Sequence, residues 1–121
     1  MQSFIAATAN TIHADVIAKA SGAPITSGTV NFYLIALSDT NAGKWFRTSD
    51  NTWQASESIA AVGTHKADGH WTASIDADAW ETHVRYLLYV KESGDLHIAY
   101  SEEIVEVSTP TEVSFEATVT D

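Results

Sequence analysis

Apolar and polar residues alternate with period two along most of this chain, and that alternation constrains the fold more than any other feature. A strand turns successive side chains to opposite faces, whereas a helix needs a repeat near 3.6. In residues 11–20, Ile12, Ala14, Val16 and Ala18 share one face while His13, Asp15 and Lys19 take the other. Ser21-Gly22-Ala23-Pro24 follows as a turn. Residues 29–38 then place Val30, Phe32, Leu34 and Ala36 against Asn31, Tyr33, Ile35 and Leu37, apolar on both faces in the second half, as a central strand requires. Residues 44–47 and 52–55 flank Thr48-Ser49-Asp50-Asn51 as a short hairpin. Residues 59–66 and 70–75 flank Ala67-Asp68-Gly69 as a second, whose Asp-Gly supplies positive φ, and His65 and His70 approach across it.

Residues 76–81 (DADAWE) form the one helical piece, a turn or two, with Asp76 as N-cap and Trp80 folded onto the core. Residues 84–91 put Val84, Tyr86, Leu88 and Val90 inward and Arg85 and Lys91 outward. Residues 96–101 and 104–107 follow, separated by a bulge at Glu102-Glu103, and a last strand sets Val113, Phe115, Ala117 and Val119 on one face. Short strands at this spacing, with almost no helix, predict an all-β protein, an antiparallel immunoglobulin-like β-sandwich of about seven to nine strands. A small closed barrel is the alternative. No repeat or linker divides residues 1–121, so a single domain is expected, with residues 1–9 and 120–121 flexible.

Charge narrows the partners. The chain has six Lys and Arg against sixteen Asp and Glu, a formal charge of −10. The last thirty residues hold eight of those acids and no Lys or Arg, so they carry −8 and the first ninety-one carry −2. With no basic cluster, nucleic acid and anionic membranes are not expected partners. Alternation puts Glu112 and Glu116 on a solvent face, where like charge protects a sheet edge. The longest strongly apolar run, residues 32–37, is far short of the roughly twenty residues that span a bilayer. The first twenty residues lack a positive n-region, so a secretory signal is not expected and a cytoplasmic location is.

Without cysteine, thiolate metal sites, iron–sulfur clusters and cysteine nucleophiles drop out. There is no GxSxG, GxxxxGK[ST] or GxGxxG, so neither an enzyme nor a cofactor is expected. The five histidines (His13, His65, His70, His83, His97) lack tight ligand spacing and read as surface residues, with no metal site. Two acidic clusters, Asp76 to Glu81 and Glu102 to Glu106, keep a cation-binding alternative open. The residues that invite a functional reading are Trp45, Phe46 and Trp53, bracketing the Thr48–Asn51 turn. Trp45 and Trp53 facing each other would be a stabilising cross-strand pair; exposed, the three rings would stack on a sugar or anchor a protein.

The stretch Ser21-Gly22-Ala23-Pro24-Ile25-Thr26-Ser27-Gly28-Thr29-Val30-Asn31-Phe32 resembles the GxPxxGxxVxF opening of bacterial immunoglobulin-like and carboxypeptidase-regulatory-like modules. Lys44-Trp45-Phe46-Arg47, Asn51-Thr52-Trp53 and Gly69-His70-Trp71-Thr72 resemble small β-sandwich modules of phage tail and head–tail structural proteins. That resemblance implies fold and role but carries no catalytic residue across. The expected function is a non-enzymatic structural or adaptor protein, a phage or prophage virion component that self-associates and docks other structural proteins. A carbohydrate-binding module using Trp45, Phe46 and Trp53 is the alternative, and a cation-dependent acidic domain the third reading.

Overall fold

A computed structural model describes residues 4–17, 21–92, 98–104 and 107. Among them the alternating segments form nine strands: β1 (Asn10–Asp15), β2 (Val30–Ala36), β3 (Trp45–Arg47), β4 (Thr52–Gln54), β5 (Ala61–Val62), β6 (Thr64–Ala67), β7 (His70–Ile75), β8 (Tyr86–Glu92) and β9 (Ile98–Ile104). They pair antiparallel in two sheets, β1-β7-β6 and β4-β3-β2-β8-β9, with β5 added to β2. The architecture is therefore all-β and sandwich-like, as the alternation predicts. The DADAWE segment shrinks to a 3-10 turn, Ala77–Ala79, with Asp76 Oδ1 accepting the Asp78 N–H at 3.0 Å. Trp80 does fold onto the core.

One face of each sheet builds the core. Ile12 and Ala14 of β1 and Trp71, Ala73 and Ile75 of β7 join Val30, Phe32, Leu34 and Ala36 of β2 and Tyr86, Leu88 and Val90 of β8 in one cluster. Each large apolar side chain buried there contributes about 1.5–3 kcal/mol. β2 is central as expected. It pairs with β8 along its whole length, Val30↔Glu92 to Ala36↔Tyr86, and shares its other side between β5 at Asn31 and Phe32 and β3 at Ile35.

Residues 59–66 depart from the single strand expected of them. The run divides at Gly63: Ala61 and Val62 pair with β2 of the larger sheet, and Thr64 onwards pairs with β7 of the smaller. The Gly63 N–H donates to the Val30 carbonyl at 2.7 Å. A Cβ at this position would lie 2.8 Å from Phe32 Cε1 and 3.0 Å from Val30 O, so the crossing backbone passes too close to β2 for any side chain. Alternation describes faces and is blind to a change of partner sheet. The Asp68-Gly69 turn forms as read, with positive φ at both residues, 46° and 85°.

One further expectation changes, the position of the bulge, and two other observations concern the ends of the chain. Residues 4–9 are anchored: Phe4 and Ala6 are buried, Phe4 stacks on Trp80 with ring centroids 5.0 Å apart, and Asn10 clamps the segment. Asn10 Oδ1 accepts the Ile5 N–H at 3.1 Å while its Nδ2 donates to the Ile5 and Thr8 carbonyls. The bulge expected at Glu102-Glu103 falls elsewhere, because those residues stay in register opposite Leu88 and Leu87 and the shift comes where Val90↔Tyr100 gives way to Lys91↔Ile98. The last strand, 113–119, with Glu112 and Glu116, lies outside the described residues.

Candidate functional site

The β3–β4 hairpin is organised by its charged turn. Arg47 donates to both carboxylate oxygens of Asp50, at 2.6 and 3.1 Å, and the Thr52 hydroxyl donates to Asp50 at 2.7 Å. Those bonds, Arg47 first, hold the Asp50 carboxyl well below the usual carboxylate range. The register they accompany is Trp45↔Gln54, Phe46↔Trp53 and Arg47↔Thr52. A cross-strand aromatic pair does form, but between Phe46 and Trp53, centroids 5.3 Å apart at 68°, and not between Trp45 and Trp53.

This register splits the three site residues. Phe46 is fully buried and Trp53 packs against the core, stacked 6.2 Å from Tyr86. Trp45, one residue along, points to the opposite face of the sheet. The three rings therefore do not form a common stacking surface. A turn counted one residue differently would have paired the tryptophans, and sequence alone does not fix that count.

On the outer face Trp45 joins residues that the sequence reading did not single out. Its indole N–H donates to the Tyr89 hydroxyl at 2.7 Å, and that hydroxyl donates to Glu57 Oε2 in a very short bond. Lys91 donates to Glu57 Oε1 at 2.8 Å and sits 4.9 Å above the Tyr33 ring. Tyr33 and Tyr89, paired across β2 and β8, stack almost parallel at 5.0 Å. Burial first, and then the hydrogen bond to Glu57, push the Tyr89 hydroxyl up. Burial also acts to raise Glu57, but the bonds from Lys91 and Tyr89 outweigh it and keep the carboxyl below its usual range. Glu57 thus ties the 55–60 connection onto the sheet. The visible signal was the apolar second face of residues 29–38; its partner Glu57 lies in a segment with no pattern to read.

Beside this tie, Arg47, Thr48, Ser49, Glu57, Ser58, Ile59 and Val62 line a cavity of about 360 Å³. Val62, in β5, is 59% exposed. Of the histidines, His65 and His70 do not meet: His65 leans on Trp71, and its Nε2 accepts the Gly69 N–H at 3.2 Å. His70 instead contacts His13 of β1. Asp76 is occupied as a cap, and Glu106 lies outside the described residues. Among the described residues no helix is long and apolar enough to cross a membrane. No family model, curated relative or solved structure matches the chain.

Proposed function

We propose that the chain is a non-enzymatic assembly module that self-associates through the rim of its larger sheet, where the β3–β4 turn, the 55–60 connection and β5 meet. One observation carries this reading: an open cavity of about 360 Å³ whose edge is an exposed β-branched residue, Val62, on a two-residue strand. Exposed apolar side chains beside a concave wall, on a short strand paired through β2, are the features a protein partner covers. The sandwich is read as immunoglobulin-like and the setting as a phage or prophage virion. The support for both is the resemblance of the Ser21–Phe32 and Lys44–Trp53 stretches to such modules.

Light scattering across a concentration series tests the assembly reading. The expected mass rises above the 13.1 kDa of one chain, and Val62→Lys returns it to that of the monomer. A wild-type protein that stays strictly monomeric at the highest concentration reached overturns it.

A further inference from the structure

Among the described residues three large apolar side chains stand exposed, Ile5, Ile17 and Val62. Ile5 precedes β1 of the smaller sheet and Ile17 follows it, and neither lines the cavity at the rim. Val62 is the most exposed of the three and also forms part of the cavity wall, together with the half-buried Ile59. A projecting side chain and a hollow able to receive one therefore lie side by side on a single patch. That adjacency selects a symmetry. A patch that holds both halves of its own complement is satisfied by a second copy turned about a two-fold axis, whereas a knob and a hole on separate surfaces join head to tail and go on adding chains.

Charge favours the same occupant. A second copy carries −10 like the first, so two chains repel except where their surfaces are balanced. At the rim the charges come in pairs, Arg47 with Asp50 and Lys91 with Glu57, two bases against two acids. Strand β9, which contains Glu102 and Glu103, runs along the other edge of the larger sheet, with β2 and β8 between it and β5. Each copy thus offers both signs at the one place where a like-charged chain can approach. We propose that two copies pair across a two-fold axis at this rim, each Val62 entering the cavity of the other against Ile59, and that association through this contact closes at a dimer. This rests on the assembly reading above and adds to it a symmetry and an end point.

Sedimentation equilibrium of the full chain over a concentration series tests the proposal. The mass should level off at two chains, twice 13.1 kDa, however high the concentration. Growth past two chains overturns the two-fold contact and leaves the assembly reading standing; a strict monomer removes that reading, and the dimer with it. Val62→Lys and Val62→Glu should each weaken the dimer at least about tenfold, and an equal mixture of the two should associate at least about tenfold more tightly than either alone, because the two positions are neighbours across the axis. Melting curves establish that both variants are folded, as a side chain this exposed permits. Ile17→Lys should leave the dimer unchanged. A mixture no tighter than its components, or a dimer lost on Ile17→Lys, would each overturn the two-fold contact.

Discussion

Strands β2 and β8 present two faces that are closed in different ways. Inward, Val30, Phe32, Leu34, Leu88 and Val90 are fully buried and make contacts that have no direction. Outward, Tyr33 and Tyr89 are nearly as buried, at 8% and 7%, yet their cover is a chain of polar bonds running from Trp45 through Tyr89 and Glu57 to Lys91. The same ladder is thus sealed on one side by bulk and on the other by donors and acceptors in fixed geometry. The first kind of closure fails by leaving a void, the second by leaving a polar atom without its partner.

The largest effect should come from the inner face. Phe32→Ala is expected to cost about 3–5 kcal/mol in denaturant unfolding, since the cavity it leaves is walled by both sheets. A cost below about 1 kcal/mol would mean that the inner face is no tighter than the outer. Next comes alkaline titration, where an inner tyrosine is probed by charge. Burial raises the Tyr86 hydroxyl to about 12, and its bonds to the Ala79 carbonyl and the Glu81 N–H stay intact while it is neutral. A raised folded value means stability is full below the ordinary 10.0 and falls as pH climbs through 12, by on the order of 2 kcal/mol. Tyr86→Phe should flatten that fall, measured by urea midpoints at each pH; an unchanged slope assigns it to other groups.

Tyr89→Phe on the outer face should cost about 1–2 kcal/mol, because it strips partners from both Trp45 and Glu57 while keeping the ring stack on Tyr33. Its mark is a coupling: combined with Glu57→Gln, the losses should fall short of additive, and strict additivity would dissolve the network into separate contacts. The smallest effect is expected from Lys91→Met, below about 1 kcal/mol, as the pair with Glu57 is partly exposed. Its sign with pH is fixed. Glu57 sits below its ordinary value, so its contribution is present above that value and disappears as acid carries pH down through the folded one. Lys91→Met should shrink the acid loss, and high salt should shrink it further.

Much of the inner face was legible in the sequence. Ile12, Ala14, Val16, Trp71, Ala73, Ile75, Tyr86, Leu88 and Val90 all point where period two puts them, because a pleat leaves no other choice once a strand is granted. What alternation does not contain is which strand lies beside which. The His13–His70 contact joins positions fifty-seven residues apart and depends on the β1–β7 register, so spacing along the chain has no way to announce it. Phe46 and Trp53 illustrate the same limit over a shorter span, where one residue of turn geometry decided which aromatic pair formed. Glu57, a loop carboxylate, becomes informative only when Tyr89 and Lys91 come up beneath it. The clamp on Ile5 is equally hidden in the sequence, since Asn10 needs its folded position to reach back to that backbone.

Gly63 has a mechanical consequence. The residues before it belong to the larger sheet and those after it to the smaller, with one glycine as the join. Tension that draws β5 away from β2 passes along a single backbone bond path to β6 and so to β7. Neither sheet can peel off alone without first stretching that strap or stripping the 2.7 Å bond from Gly63 to Val30. Pulled apart, the two layers should yield together, in one rupture event shared by both.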